Sequence, residues 1–158
     1  MRKPAARYTV PTLAVLAVIA TGPLAAQAAA SPVIAKARVT AACTGTKGVT
    51  VVVDFTKLGG KAKTACDPTD PKTGLAALTG AGFTYTFVPR FPGFVCTINK
   101  LPNPCNGAPT TAYWSYWHAK PHGKWVYSSL GAGTYNPKPG SVEGWAFGAG
   151  KPPGISPP

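Results

Sequence analysis

Acidic side chains are nearly absent from this chain. Asp54, Asp67, Asp70 and Glu143 are its four carboxylates in 158 residues, against 16 Lys and Arg. Carboxylate-based acid–base catalysis needs two such groups brought together with their protonation set apart. Here Asp67 and Asp70 lie in the Pro-rich stretch DPTDP, and Glu143 stands alone. Histidine is equally scarce. His118 and His122 are four apart, but Pro121 between them rules out a helix that would face them together. With no third protein ligand in view they make no metal site, and read as a strand end and a turn residue. No Gly-x-Ser-x-Gly, His-Glu-x-x-His or phosphate-cradling glycine loop occurs. The chain reads as a binder and not as an enzyme.

Long apolar runs are missing too, with one exception. Arg2, Lys3 and Arg7 precede the run Leu13–Leu24, and Ala26-Gln27-Ala28 follows it. A basic start, a short apolar segment and an Ala-x-Ala step make residues 1–30 a secretory signal peptide. An uncleaved anchor is the other reading of this segment, but the run falls short of the roughly 20 residues a spanning helix takes. The mature chain is therefore expected to be secreted, extracellular or at the cell surface, with no stable membrane span.

The net charge is +12, and removal of the signal lowers it by three. The lysines are spread out, with one modest cluster at Lys57, Lys61 and Lys63. Dispersed charge on an exported chain fits solubility and attraction to an anionic envelope better than nucleic-acid binding. The four cysteines, Cys43, Cys66, Cys96 and Cys105, include no Cys-x-x-Cys pair of the kind zinc sites use. In an oxidising compartment they form bridges. Three pairings are possible on paper. Nearest neighbours, Cys43–Cys66 and Cys96–Cys105, close the shortest loops and are the expected pair.

What remains reads as short strands and one helix. Residues 31–46 lead into a domain spanning 47–148. Val49–Phe55 is a β-branched run of the kind a strand buried on most sides shows. Lys61–Cys66 pairs back after the Leu58-Gly59-Gly60 turn. Thr73 caps a helix from Gly74 to Thr79 or Ala81, with Leu75 and Leu78 facing the sheet. Phe83–Val88 and Phe94–Ile98 are strands, interrupted by Pro89–Gly93. Ala112–Ala119 and Lys124–Ser129 form a hairpin about the turn AKPHG, and Ser141–Phe147 is the last strand. Residues 149–158 form a Pro-rich tail expected to be disordered. The order predicts an α+β fold: a small β-grasp-like mixed sheet with one short helix, stapled by disulfides.

The hairpin carries the functional signal. Tyr113 to Tyr127 holds six of the sixteen aromatics. A domain this small is expected to leave some of these rings uncovered, so the ribbon is a candidate recognition surface for a flat or apolar ligand. Tyr113-Trp114, the later Trp125 and Tyr127, and the stretch Gly131-Ala132-Gly133-Thr134-Tyr135-Asn136-Pro137 through Glu143 resemble the C-terminal β-domain of the transcobalamin and intrinsic-factor family. The chain departs from that pattern in its longer turn, AKPHGKW, and in its four cysteines. The resemblance implies a β-grasp-like sheet and a binding role at Trp114, Tyr116, Trp125, Tyr127 and Tyr135. Trp117 and His118 on the same ribbon complete the expected site. The ligand so implied is cobalamin or another tetrapyrrole, handed to a surface uptake system. The competing expectation is a cell-envelope structural or interaction module whose ribbon binds a protein or a polysaccharide.

Overall fold

The computed structural model describes residues 41–158. The expected signal peptide and the first ten residues of the expected leader lie outside the described residues.

Seven strands and one helix follow in order: β1 (Val49–Asp54), β2 (Ala62–Asp67), α1 (Gly74–Gly80), β3 (Tyr85–Val88), β4 (Phe91–Ile98), β5 (Tyr113–Ala119), β6 (Val126–Tyr127) and β7 (Val142–Gly148). The main sheet runs β2-β1-β7-β5-β6, and β3 and β4 form a separate two-stranded ribbon. The terminal strand β7 inserts parallel to β1 at the centre, while every other pair is antiparallel. This is the expected α+β, β-grasp-like arrangement. A strand hydrogen-bonded on both sides and covered on both faces has no polar surface to maintain. That explains the unbroken Val-rich sequence of β1, all six of whose residues are buried.

The helix starts where expected. The Thr73 hydroxyl accepts from the N–H of Ala76 at 3.0 Å, satisfying one of the first-turn donors. Leu75 and Leu78 are buried against the sheet. Gly74 is required by packing: a Cβ there would run into the Tyr116 ring and hydroxyl. The main core gathers Val49, Val51 and Val53 of β1, the helix leucines, Phe83, Val95, Ile98, Trp114, Tyr116 and Trp145. Both disulfides form as nearest neighbours, Cys43–Cys66 and Cys96–Cys105. The first ties the segment before β1 to β2, and the second braces β4 to the following loop.

Two expectations are corrected. Pro89–Gly93 does not end strand structure, because β4 begins at Phe91. The β3–β4 pairing absorbs the prolines through register shifts beside Phe87, and a two-stranded ribbon has edges where a missing N–H breaks no ladder bond. The second correction is larger. The tail at 149–158 is held against the sheet. The N–H of Gly154 donates to the Asp54 carboxylate at 2.6 Å, and the Trp125 indole donates to the carbonyl of Ile155 at 2.8 Å. The N–H of His122 donates to Pro157 at 3.1 Å, and Pro153 and Pro157 are buried. Proline-rich chain has few backbone donors to satisfy, so it can lie flat on a sheet and cover Val52, Ala119 and Val142, which with Trp125 form a second small core.

Candidate functional site

Strand alternation sends Trp114, Tyr116 and His118 to the helix side of the sheet and Tyr113, Ser115 and Trp117 to the other side. The expectation that some of the ribbon's rings stay uncovered is met at Tyr127, which is 49% exposed, and not on β5. Trp114, Tyr116 and Trp117 are only 5%, 7% and 8% exposed. The cause is the position of β5, which lies between β7 and β6 with the core on one side. On the other side Ser115 donates to the carbonyls of Ala146 and, more weakly, Lys151 in the tail. Trp117 donates to the Ser115 hydroxyl at 2.9 Å and meets Tyr127 edge-on. Trp125 is half-buried. Its ring lies over Gly144, where a Cβ would come within 2.6 Å of it. His118 and Tyr135 are half-buried and stack on each other with centroids 4.7 Å apart. Tyr127 is exposed, and its hydroxyl lies 3.4 Å from that of Tyr113.

Burial does not close the ribbon off completely. A groove of about 370 Å³ runs beside it, between β4 and the segment that follows β6. Its floor is Trp114, Tyr116 and Trp145, and its walls include Phe94, Tyr113, Tyr127 and Leu130. None of its lining residues carries a formal charge. The indole N–H of Trp145 is buried with no acceptor among the described residues. Trp145 tilts against Tyr116 with centroids 4.9 Å apart. The groove therefore joins three of the expected site residues, Trp114, Tyr116 and Tyr127. It leaves out Trp117, His118, Trp125 and Tyr135. Trp145, Phe94 and Leu130 were not among the expected site residues. The sequence signal for Trp145 was its place two residues after Glu143, on the same face of the last strand.

A second, wider groove of about 580 Å³ opens at the other side of β6. His118 and Tyr135 line it together with Lys120, Lys124, Lys138 and Ser141. Just beneath lies Glu143, fully buried, accepting a short hydrogen bond from the Tyr116 hydroxyl and a longer one from Ser141 at 3.4 Å. Burial pushes the Glu143 carboxyl from its ordinary 4.5 up to about 7, and the two hydroxyl donors restrain the rise. Burial, and then the Glu143 carboxyl, drive the phenol of Tyr116 far above its ordinary range and raise that of Tyr135. Burial holds His118 below its ordinary value, so its imidazole is neutral at pH 7. The pair Glu143–Tyr116 is a sealed core element that links β7 to β5. Among the described residues no cluster of three or more His, Cys, Asp or Glu is placed to hold a metal ion.

Comparison with known proteins adds one finding. The family model of the SCO2322-like domain matches residues 106–154. That stretch begins just after Cys105 and contains β5, β6, β7 and the first part of the tail, hence every expected ligand-binding residue. No curated protein and no solved structure matches the chain.

Proposed function

We propose that this chain is an exported binding module whose ring-lined groove seats a flat or apolar group. The observation that carries the reading is the groove over Trp114, Tyr116 and Trp145, lined largely by rings and without a formal charge. Apolar walls with one or two convergent polar groups are the usual make-up of a small-molecule site. A ligand with a planar or hydrocarbon body would complement those rings. The likeness to the transcobalamin C-terminal β-domain supports a corrinoid or another tetrapyrrole as that ligand, delivered to a surface uptake system. At about 370 Å³ the groove is at the low end for drug-sized ligands, roughly 300–1,000 Å³, so a macrocycle would seat one edge and need a second surface to cover the rest. The paired cysteines and the N-terminal signal pattern support export. We read the module as non-catalytic, because its one carboxyl displaced toward neutral pH is sealed beneath the surface.

Two of the four tryptophans line the groove, so intrinsic fluorescence reports on it directly. Titration of the purified protein with cobalamin, and separately with haem, should quench emission in a saturable way. Flat traces at high micromolar ligand overturn the tetrapyrrole assignment.

A second reading is favoured by the distribution of charge. The wide groove is lined by three lysines and no carboxylate, which suits an anionic polymer of the cell envelope. Retention on isolated cell walls that is lost in high salt would support it, and equal retention at all salt concentrations would exclude it.

A further inference from the structure

The β3–β4 ribbon carries an exposed aromatic surface that shares only Phe94 and its neighbours Gly93 and Val95 with the ring-lined groove. Phe91 is 64% exposed and Phe94 61%, while Phe87 beside them is also uncovered. The turn between the strands places Arg90 in the left-handed region, at φ 68°, directly before Phe91. Pro89 and Pro92 flank the pair and limit its freedom. The bridge Cys96–Cys105 braces β4 below them. A shallow hollow of about 250 Å³ lies between Val88, Phe91, Phe94 and Gly107–Ala108, with no charge in its lining. Large rings held outward on a braced turn add nothing to the core, and such patches mark docking surfaces.

Charge indicates what would cover this one. All eleven Lys and Arg residues among positions 41–158 are exposed. Of the four carboxylates, Asp54, Asp67 and Glu143 are buried. Only Asp70 faces solvent, and it is ion-paired with Lys72. The buried three are turned inward by local bonds: Asp54 takes the N–H groups of Thr56 and Gly154, Asp67 takes the N–H and hydroxyl of Thr69, and Glu143 takes Tyr116. Exposed charge among residues 41–158 is thus almost purely cationic, and Arg90 puts one such charge directly beside the aromatic turn. An anionic bilayer complements both features, since its headgroups attract the cations and its interfacial zone accepts aromatic rings. No helix among the described residues is long and apolar enough to cross a membrane, so such contact would be peripheral.

We propose that the protein docks on anionic lipid bilayers by placing Phe91 and Phe94 in the interface, with Arg90 against the headgroups. Phe94 also walls the ring-lined groove, whereas Phe91 and Arg90 do not, so variants at those two positions test docking apart from the ligand reading.

The test is flotation of the purified mature protein, without residues 1–30, with vesicles of phosphatidylcholine alone and with added phosphatidylglycerol. The protein should float with the anionic vesicles, and added salt should weaken the binding. Phe91→Ser should lower partition about ten-fold or more. Arg90→Asn, which tolerates the left-handed backbone, should lower it about five-fold. Both variants should keep the wild-type circular dichroism spectrum. Failure to float, equal flotation on neutral vesicles, or undiminished binding by Phe91→Ser overturns the proposal. So does a concentration-dependent dimer that Phe91→Ser dissolves while vesicles bind nothing, which would give the patch to a second copy of the chain.

Discussion

The molecule has two aromatic regions, and they exchange the roles their sequences suggest. Residues 113–127 concentrate tryptophan and tyrosine, yet Trp114, Tyr116 and Trp117 are buried. Residues 87–94 hold three scattered phenylalanines among prolines and a glycine, and all three are exposed. Ring density is a property of the segment, whereas exposure depends on what the segment's strand pairs with. β5 is flanked by β7 and β6 and covered on both faces. β3 and β4 pair only with each other. The dense region therefore serves stability and lends its edge to a groove, and the sparse region offers free surface.

Substitution separates the two most sharply at Trp114. It packs edge-on against Phe55 and Phe147 and donates to the carbonyl of Leu101 at 3.2 Å. Trp114→Ala should destabilise by about 3–5 kcal/mol in urea denaturation. A loss near zero would mean that the ring is not a core element and would erase the contrast.

A smaller effect comes from the carboxyl that holds Tyr116. With the Glu143 pKa raised on folding from 4.5 to about 7, the native state keeps a proton that the unfolded chain releases. The resulting stabilisation is complete below about pH 4.5, declines as pH rises, and is gone once pH passes about 7. It amounts to about 3 kcal/mol at most. His118, held low by burial, works in the opposite sense by favouring the native state as pH rises toward neutrality. Glu143→Gln retains an acceptor for Tyr116 and removes the titration. The difference in denaturation midpoint between wild type and this variant should therefore vary between pH 4.5 and 7, in favour of the wild type at the acid end. A constant difference would show that Glu143 titrates normally.

The smallest expected effect is at the turn. Phe91→Ala should change stability by no more than about 0.5 kcal/mol, since the ring is mostly in solvent. A loss comparable to that of Trp114→Ala would show that the phenylalanine ribbon is structural after all.

Much of the fold was legible because its signals are local. The Val49–Asp54 run, the Thr73 cap with Leu75 and Leu78, and the short-loop cysteine pairs each depend on neighbours in sequence. The first strand of the aromatic hairpin was also legible, from alternation, whereas its partner, expected over Lys124–Ser129, shrinks to Val126–Tyr127. The tail was not. Its order rests on Asp54, a hundred residues away from Gly154, and on Trp125 and His122. The ring-lined groove was half legible: Trp114, Tyr116 and Tyr127 belong to the conspicuous ribbon, while Phe94 and Trp145 arrive from other strands.

Residue type, period and spacing along short stretches suffice for most of the elements, the basic balance and the α+β class, and they favour one cysteine pairing of three without fixing it. Which rings are covered, which carboxylates turn inward and where the tail lies were settled by long-range packing. Those outcomes depend on insertion of β7 beside β1 and on contacts spanning up to a hundred residues. No local pattern encodes the far partner, because burial is a property of two surfaces and a sequence segment supplies only one of them.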